Sequence, residues 1–355
     1  MNSNIKKICI PITSSIRQAI ICIDRNKKGI ALITNEKQQL LGTITDGDIR
    51  RALLIDQDLD VSVRELLVRK NRSPYPKPIT ALVGTPPAKL LELMRKHAVR
   101  QIPILEGEGR VAGLLAMEEL LPQQLLSTQA VIMAGGYGTR MQLLTGKLPK
   151  AMLRVGKEPL LQLIVKRLRK AGIRRVNIAT HYKADKIVEH FGNGSALGVR
   201  LRYLTEDRPL GTAGALGLME APTEPFFVIN GDILTNVNFQ AMLAFHREQR
   251  AEMTVAVQKY DVEIAYGVVQ IQDSLICQVV EKPKFQHLVN AGIYLLQPSV
   301  QSGIPKEKYL DMTDLIRKLI DEGRRVAGFP LWEDWLDIGN PAEYQRARED
   351  AKREG

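Results

Sequence analysis

Short apolar runs alternate with segments of helical periodicity from residue 130 onward. Residues 130–134 and 226–229 are continuous apolar runs, which are typical of parallel strands buried on both faces. Residues 160–171 place their apolar side chains three and four positions apart and precede Gly172, a common stop after a helix. This alternation predicts an α/β fold with a mostly parallel sheet between two layers of helices. Further strands are predicted at 175–180 and 199–205, and a final charged helix at 341–355.

Residues 1–125 carry a different pattern, which occurs twice with an offset of 71 residues. Each copy has a helical segment, two short apolar runs and the start of a second helix, which predicts an α+β domain. Neither copy can bury its apolar face alone, so the two copies, about 1–65 and 75–125, are expected to pack together. The α/β domain then occupies 129–355. The basic, proline-containing stretch 64–78 between the copies predicts a connecting loop.

Composition narrows the class of protein. The chain of 355 residues has a net charge of +11, but its basic residues are scattered and form no groove interleaved with aromatic residues. We therefore expect no nucleic-acid partner, since attraction of small phosphorylated substrates explains the charge equally well. The sequence has no apolar run of about 18 residues, so no membrane span is predicted. The N-terminus lacks the apolar core of a signal peptide. The three cysteines have no metal-ligand spacing, so a cytoplasmic protein with inert thiols is expected.

A glycine-rich turn follows the first apolar run of the α/β domain. Gly135, Gly136 and Gly138 let the backbone approach a ligand closely, so that main-chain N–H groups can hold phosphate oxygens. Arg140 and Lys150 supply positive charge around the same phosphates. Dinucleotide and Walker-type fingerprints do not fit, because both require glycine at a position where this chain has methionine. The alternative is a βα turn that binds no ligand, and the nearby Arg140 and Lys150 argue against it.

The sequence GGYGTR at 135–140, followed by proline and Lys150, resembles the sugar-1-phosphate nucleotidyltransferases. These enzymes join a nucleoside triphosphate to a sugar 1-phosphate and release pyrophosphate. The resemblance implies a Rossmann-like αβα domain in which Arg140 and Lys150 are the catalytic cations. It also adds Thr139 to the three glycines as a nucleotide contact.

A second loop is predicted to read the base. It follows the predicted strand at 199–205 and carries Gly211 and Thr212, whose backbone offers a flat surface to a base. The resemblance implies both as nucleotide contacts, and an N-cap role for Thr212 is the alternative. GGYGTR together with PLGTAG is most similar to the mannose-1-phosphate guanylyltransferases, which favours GTP over UTP or dTTP. His181, after the predicted strand at 175–180, is placed to contact the base, although a structural histidine is favoured.

Asp232 follows the apolar run at 226–229, at the edge where ligands bind in open α/β sheets. A carboxylate there suits Mg²⁺, which takes one or two carboxylates together with phosphate oxygens. The family pairs this aspartate with that of a W-x-D-I-G element, here Asp337, and the pairing comes from the resemblance alone. Residues 233–239 do not alternate in polarity, so no partner strand is expected there.

The resemblance implies a sugar pocket between these two aspartates. It implies that Gly267, Glu281 and Asn290 contact the sugar hydroxyls and that Lys282 binds the sugar phosphate. The chemistry fits, because carboxylate and amide groups read hydroxyls and an ammonium group balances a phosphate. A solvated surface ion pair between Glu281 and Lys282 is the alternative.

Residues 42–51, GTITDGDIRR, resemble the end of a cystathionine-β-synthase (CBS) domain, and the repeat resembles a tandem pair of such domains. The resemblance implies that Thr45 and Asp46 contact the phosphate and ribose of an adenine nucleotide. The second copy has Ala116 and Met117 instead, so at most one such site is expected. In the alternatives, Asp46 caps the following helix, and the pair has a purely structural, dimer-forming role.

These observations predict a Mg²⁺-dependent enzyme that transfers a nucleoside monophosphate, GMP in the favoured case, from a nucleoside triphosphate to a hexose 1-phosphate. Glucosamine 1-phosphate and mannose 1-phosphate are candidate acceptors, in bacterial surface-sugar synthesis, and a homo-oligomer is expected. A uridylyl- or thymidylyltransferase acting on another sugar phosphate stays open, as does a non-catalytic nucleotide-sensing protein. The intact charged residues argue against the non-catalytic reading: Arg140, Lys150, Asp232, Lys282 and Asp337.

Overall fold

The computed structural model describes residues 5–26, 28–55, 58–70, 76–97, 99–120, 126–138, 141 and 148–353. The chain forms two compact units, Met1–Gln124 and Leu125–Gly355. Among the described residues, no helix is both long enough and apolar enough to cross a membrane.

The N-terminal unit contains two copies of one motif, and corresponding elements begin 71 residues apart, for example at Ile16 and Pro87 or at Asp46 and Met117. The predicted repeat is therefore confirmed. Each copy folds a three-stranded sheet with its own helices. The strands are β1 (Cys9–Pro11), β2 (Ile30–Thr34), β3 (Leu40–Thr45), β4 (Ala81–Leu82), β5 (Gln101–Glu106) and β6 (Arg110–Ala116). The helices are α1 (Ile16–Asn26), α2 (Asp46–Leu54), α3 (Val63–Lys70), α4 (Pro87–Lys96) and α5 (Met117–Leu120), with a 3₁₀ turn at Ile5–Lys7.

Helix α3 corrects the prediction of a loop at 64–78. Val63 and Leu66 lie on its buried face, and Leu67 packs so tightly against β3 that a Cβ on Gly42 would lie 2.7 Å from its Cδ2 atom. Apolar residues at helical spacing therefore outweigh the basic character of this segment. The prolines that suggested a loop come only after the helix has ended.

The C-terminal unit is built around a seven-stranded sheet with the order β11-β10-β7-β12-β17-β14-β18. Four of the six strand pairings are parallel, and only β17 runs against its neighbours. A mostly parallel sheet was predicted and is confirmed. Three small two-stranded sheets accompany it: β8 with β9, β13 with β19, and β15 with β16. The strands of this unit are β7 (Leu126–Met133), β8 (Arg154–Val155), β9 (Glu158–Pro159), β10 (Ile173–Thr180), β11 (Arg200–Thr205), β12 (Phe226–Asn230), β13 (Ile233–Thr235), β14 (Met253–Glu263), β15 (Val268–Gln272), β16 (Leu275–Val280), β17 (Lys284–Leu296), β18 (Val326–Leu331) and β19 (Trp335–Asp337).

Helices cover both faces of this sheet, because successive residues of the central strands point to opposite sides and both sets are apolar. Val131 and Phe226 belong to one buried cluster, and Ile132 and Phe227 belong to the other. The sheet is therefore the middle layer of an αβα sandwich. The helices are α6 (Leu160–Lys170), α7 (Ala184–Phe191), α8 (Gly211–Gly214), α9 (Phe239–Glu248), α10 (Pro298–Ser302), α11 (Met312–Asp321) and α12 (Pro341–Arg353), with 3₁₀ turns at Lys150–Met152, Ser195–Leu197 and Ala215–Leu218.

Strand β13 is an element that the sequence did not predict. Its three residues pair antiparallel with β19, and Ile233 lies opposite Asp337. A strand this short has no periodicity to detect, and its hydrogen-bonding partner lies about a hundred residues away in the chain. Its consequence is functional, since it joins two distant aspartates.

His246, on α9, is fully buried. Its Nδ1 atom lies 2.8 Å from Thr254 Oγ1, and its Nε2 atom lies 3.0 Å from the amide nitrogen of Gln297. Burial, reinforced by the nearby Arg247 cation, lowers the pKa of His246 from 6.5 to about 4. The unfolded chain therefore takes up this proton first as the pH falls. The stability contribution of neutral His246 is complete above pH 6.5 and is lost between pH 6.5 and 4, up to about 3 kcal/mol.

We expect His246→Gln to flatten this pH dependence. Lowering the pH from 7 to 5 should cost the wild type about 2 kcal/mol more unfolding free energy than it costs the variant. Glutamine keeps a polar group in the pocket but cannot titrate. Urea unfolding at the two pH values measures the difference, and equal losses in both proteins would refute the role of His246.

Candidate active site

Three loops meet at the carboxyl edge of the central parallel strands. Met133, at the end of β7, is in register with Ala179 on β10 and Asn230 on β12. The residues that follow these strands are the glycine-rich turn, His181 and Asp232. Because the strands are parallel and in register, the three groups lie along one edge, the usual ligand edge of such sheets.

The glycine-rich turn fits closely against a buried glutamate. A Cβ on Gly135 would lie 2.7 Å from Glu206 Oε1, so any larger residue would have to displace the Glu206 carboxylate. Gly138 has a φ of +63°, which favours glycine, whereas the Cβ position of Gly136 is open. The predicted contacts Thr139 and Arg140 lie outside the described residues. The described part of the turn thus presents backbone at its glycines, together with the side chain of Tyr137, which is 48% exposed.

Lys150 and Asp232 are brought together by the fold. Lys150 begins the 3₁₀ turn after Pro149, and its Nζ atom donates to Asp232 Oδ2 at 2.5 Å. Their side chains are 14% and 26% exposed. A half-buried, charge-assisted contact of this kind fixes both side chains more firmly than a surface ion pair does. The two residues were predicted as parts of one site, and they are in direct contact.

Asp337 is placed beside Asp232 by the β13–β19 pair. Asp337 is the register partner of Ile233, the residue after Asp232, and the N–H of Ile338 donates to the Asp232 carbonyl at 2.9 Å. Two carboxylates on adjacent strand ends suit Mg²⁺, which needs one or two of them. Across the described ranges, this site included, no group of three or more His, Cys, Asp or Glu side chains could hold a metal ion, so the protein would supply only these two carboxylates. The donor set therefore fits the predicted cation.

Asn290, a predicted sugar contact, lies on β17. Its Oδ1 atom accepts a hydrogen bond from the N–H of Gly292 at 3.0 Å. Burial raises the pKa of neighbouring Tyr294 to about 12, a hydrogen bond from Asn290 opposes the shift, and the negative charge of Asp232 adds to it. Tyr294 thus stays a neutral hydroxyl that is hydrogen-bonded to Asn290 and feels the charge of Asp232.

An unsatisfied polar atom lies at this edge. Asn230 Oδ1, at the end of β12, is buried and accepts no hydrogen bond from the described part of the chain. Its amide nitrogen is pressed against Gly292, which has a φ of +70° and whose Cβ would lie 2.7 Å from it. Because a buried carbonyl of this kind normally has a donor, Asn230 suggests a ligand at the site that sequence reasoning did not name.

The predicted base loop is anchored by hydrogen bonds to a distant segment. Thr212 Oγ1 donates to Asp311 Oδ1 at 3.2 Å and accepts from the N–H of Met312 at 2.8 Å. Gly211 has a φ of +79°, and its Cβ would lie 2.6 Å from the Leu310 carbonyl. Residue Leu210 is the N-cap of α8, so the alternative in which Thr212 is the N-cap is wrong. The N–H groups of Thr212, Ala213 and Gly214 are engaged as well, because they donate to Asp311 Oδ1 and to the Leu310 carbonyl.

His181 links the glycine-rich turn to the base loop. Its Nδ1 atom lies 2.8 Å from the Glu206 carbonyl, and its Nε2 atom lies 3.0 Å from Tyr137 Oη. Glu206 Oε2 accepts the N–H of Leu210 at 2.8 Å, and burial raises the pKa of the Glu206 carboxyl group. Both histidine nitrogens are therefore engaged within the protein, as the favoured structural role requires. Tyr137, although it lies within GGYGTR, and Glu206 were not predicted as site residues, because their residue types do not show that they contact His181.

Three of the four predicted sugar contacts lie where the β15–β16 hairpin begins and ends, whereas Asn290 lies within β17. A Cβ on Gly267 would lie 2.9 Å from Glu281 Oε2, so these two residues face each other. Glu281 and Lys282 are exposed, and the ion pairs of the described residues include none between them. The alternative of a mutual surface ion pair is therefore not what the structure shows. Lys282 has a φ of +45°, an uncommon backbone state for lysine.

A second predicted site lies in the N-terminal unit. Thr45 is the N-cap of α2 and forms a capping box with Asp48, so the alternative in which Asp46 is the cap is wrong. Asp46 instead holds the fully buried Arg50 through two bonds of 2.6 and 3.1 Å. In the second copy, Ala116 and Met117 offer no equivalent polar pair.

Comparison with family sequence profiles covers most of the chain. Residues 129–354 match the family described as "Nucleotidyl transferase". Residues 1–55 and 63–123 each match the CBS domain family.

Curated relatives match about three fifths of this chain. One is the mannose-1-phosphate guanylyltransferase catalytic subunit beta of Drosophila pseudoobscura pseudoobscura, 35% identical over 225 residues, or 61% of this chain and 60% of the relative. Another is the mannose-1-phosphate guanyltransferase of Schizosaccharomyces pombe, 33% identical over 226 residues, or 61% of this chain and 62% of the relative. The matched region thus spans about three fifths of the length of these relatives.

Solved structures with similar folds were also found. A Bacillus anthracis protein named as a glucose-1-phosphate thymidylyltransferase matches with a TM-score of 0.52 and 26% identity, over 63% of this chain and 95% of that one. HddC from Yersinia pseudotuberculosis, complexed with GMP-PN, matches with a TM-score of 0.50 and 26% identity, over 63% of this chain and 99% of that one.

Proposed function

We propose that this chain, which belongs to the nucleotidyl transferase family, transfers a nucleoside monophosphate from a nucleoside triphosphate to a hexose 1-phosphate and releases pyrophosphate. The observation that carries this proposal is the contact of Lys150 with Asp232, beside Asp337, at the sheet edge that bears the glycine-rich turn. Backbone donors, a cation and two carboxylates at one edge are the parts that a triphosphate site requires.

In the proposed reaction, an oxygen of the sugar phosphate attacks the α-phosphorus as the bond to the pyrophosphate oxygen breaks. No covalent intermediate with the protein is needed, because the attacking phosphate is already an anion. The chain therefore acts by positioning and by balancing charge. The glycine-rich turn holds phosphate oxygens, and Asn290 orients the sugar. Lys150 offsets the negative charge of Asp232 at the edge that receives the triphosphate.

Asp232 and Asp337 would hold Mg²⁺, which screens the charge that gathers on the phosphate oxygens during transfer. Asp232 is only 26% exposed and is already fixed by Lys150, so the carboxylate is pre-positioned rather than drawn in from solvent. The edge thus combines fixed backbone donors with two carboxylates that need no large rearrangement.

GTP is the favoured nucleotide and mannose 1-phosphate the favoured acceptor, because the guanylyltransferases above are 35% and 33% identical to this chain over the matched 225 and 226 residues. HddC, whose structure contains GMP-PN, supports a guanine nucleotide. The Bacillus anthracis protein named as a thymidylyltransferase supports dTTP and glucose 1-phosphate as the main alternative. Glucosamine 1-phosphate, for bacterial surface-sugar synthesis, stays a further candidate.

Pyrophosphate release with Mg²⁺, measured across the common nucleoside triphosphates and several hexose 1-phosphates, decides among these substrates. We expect release with GTP and one sugar phosphate. Release only with UTP or dTTP would keep the reaction and overturn the base. The rival nucleotide-sensing protein predicts binding without release for every combination.

Lys282 is proposed to bind the sugar phosphate, and Lys282→Met tests this role. Losing a charge-assisted contact should raise the KM for the sugar phosphate about 10- to 100-fold, with a smaller change for the nucleoside triphosphate. Lys284→Met is the matched control, because Lys284 is exposed two residues away and pairs with Glu263 at 3.3 Å. Equal KM values for the two variants would remove Lys282 from the site.

The N-terminal unit is proposed to bind one adenine nucleotide at Thr45 and Asp46. Because the Asp46 carboxylate already holds Arg50, a ribose would have to share that carboxylate with the buried guanidinium.

A further inference from the structure

A cavity with no assigned role lies on one face of the main sheet, away from the ligand edge. It has a volume of about 370 Å³, lies over strands β7, β10 and β11, and is walled by the segment 220–224 that leads into β12. Gln129, Arg175 and Arg200 line it and are neighbours in register on the three strands. Gln129 comes four residues before Met133, or about 13 Å along the strand, so the cavity is separate from the candidate active site.

Three arginines share the face of the sheet that bears this cavity. Arg200 and Arg202 line it from β11, whereas Leu201, between them, is buried in the cluster on the opposite face. Arg175 is the register partner of Arg200 and adds the third guanidinium group. The ring of Tyr203 packs against the cluster on the opposite face, so the described lining has no aromatic ring on which a base could stack.

Positive charge is in excess in the cavity. The three arginines face two carboxylates, those of Glu220 and Glu224. Glu220 pairs with Arg202, but the two side chains are 82% and 56% exposed, and an ion pair this open is easily exchanged for a ligand. Arg200 forms no ion pair with any residue that the structure describes. An anion is therefore the species that the charges of this cavity favour.

Asn177 gives the cavity a buried polar group. It lies beside Arg202 in the strand register and is only 7% exposed. Within the described part of the chain, its side chain makes one hydrogen bond, from Nδ2 to Gln129 Oε1 at 3.3 Å. Its carbonyl oxygen is thus left for a donor that is not part of these segments, although such buried groups normally have a partner. A ligand hydroxyl would supply that donor.

We propose that this cavity binds a hexose phosphate at a site distinct from the proposed active site. The arginines suit the phosphate, because each planar guanidinium group donates two parallel hydrogen bonds to phosphate oxygens. The Asn177 carbonyl and the Glu224 carboxylate suit sugar hydroxyls, which donate to them. The volume is within the range of small-molecule sites. A nucleotide fits less well, because base binding of this kind relies on aromatic stacking.

Calorimetric titration of the full chain with glucose, mannose and fructose 6-phosphates tests this site. Neither Mg²⁺ nor a nucleoside triphosphate is added, so the result does not depend on the proposed reaction. We expect at least one of these probes to bind with a Kd below about 1 mM, and inorganic phosphate to bind about 10-fold more weakly because it lacks the hydroxyl contacts. Absence of binding for all three, or equal affinity for inorganic phosphate, would overturn the proposal.

Arg200→Gln locates the binding in the cavity. Loss of a charge-assisted contact should raise the Kd about 10- to 100-fold, and the exposed position of Arg200 leaves the fold intact. Arg247→Gln is the matched control, because it removes the same charge from an exposed residue of α9, which packs on the opposite face of the sheet. An Arg200→Gln protein with the wild-type Kd, or equal weakening in both variants, would contradict the site.

Lys282→Met separates this site from the proposed sugar pocket. The variant should bind the hexose 6-phosphates with the wild-type Kd, because Lys282 is not part of the cavity lining. Loss of binding in Lys282→Met would place the probes in the proposed active site and overturn a second site. A chain that binds these probes but releases no pyrophosphate would refute the proposed function alone.

Discussion

Replacing Asp232 by asparagine should lower kcat/KM for nucleotidyl transfer about a thousandfold while the protein stays folded. The carboxylate contacts Lys150 and lies beside Asp337, so its loss removes one of two proposed cation ligands and unbalances the charge at the sheet edge. A factor of a thousand corresponds to about 4 kcal/mol of transition-state stabilisation, within the range that metal-assisted charge balance supplies. Asparagine keeps the shape of the side chain and one oxygen for Lys150.

Asp334→Asn is the matched control for this prediction. Asp334 is exposed in the turn before β19, three residues from Asp337, and should tolerate the change with near wild-type kinetics. The measurements are steady-state pyrophosphate release and the thermal unfolding midpoint of each variant. Wild-type turnover in Asp232→Asn would eliminate this aspartate from the proposed chemistry.

The second large effect is expected from Gly231→Ala, on stability and activity together. A Cβ on Gly231 would lie 2.7 Å from the Met133 carbonyl, and the N–H of Gly231 donates to that same carbonyl at 2.9 Å. Two backbone segments would have to separate, one entering the glycine-rich turn and the other carrying Asp232. We expect the unfolding free energy to fall by about 2–3 kcal/mol.

A glycine in an open environment distinguishes this clash from a general effect of alanine. Gly303, after α10, has ordinary space for a Cβ, 3.5 Å from the nearest atom, and its φ of −85° is accessible to alanine. Gly303→Ala should therefore change stability by less than about 0.5 kcal/mol. Denaturant unfolding of both variants provides the comparison, and a Gly231→Ala protein as stable as Gly303→Ala would show that the two segments can part without cost.

The central strands were predictable because their signal is local. Residues 226–229 form a continuous apolar run, and the structure places a strand at Phe226–Asn230. The helix at Leu160–Lys170 likewise follows from side chains at helical spacing. Such elements bury one or both faces along their whole length, so the spacing of their apolar residues indicates directly which positions are buried.

The approach of Asp232 to Asp337 was not predictable from the residues alone. It depends on the three-residue pairing of β13 with β19, which has no local pattern. The bonds of Thr212 to Asp311 and Met312 belong to the same class, since they join segments about a hundred residues apart. Contacts of this kind are fixed by tertiary packing, and only the family resemblance anticipated one of them.

The role of Asp46 illustrates a different limit. Its position before a helix is compatible with a cap, a ligand contact or an internal ion pair, and the residue types alone do not separate these roles. The outcome depends on Arg50, four residues later, whose burial demands a carboxylate partner. The sequence contains both residues, but burial is what couples them.

The most direct test of the account is ³¹P NMR of the folded wild-type protein with Mg²⁺, GTP and mannose 1-phosphate. The account predicts that the GTP and sugar-phosphate signals decay together while pyrophosphate and a diphosphate diester appear in equal amounts, and that Asp232→Asn suppresses all four changes. Unchanged spectra with this pair, and with UTP or dTTP and the other hexose 1-phosphates, would contradict nucleotidyl transfer by this chain.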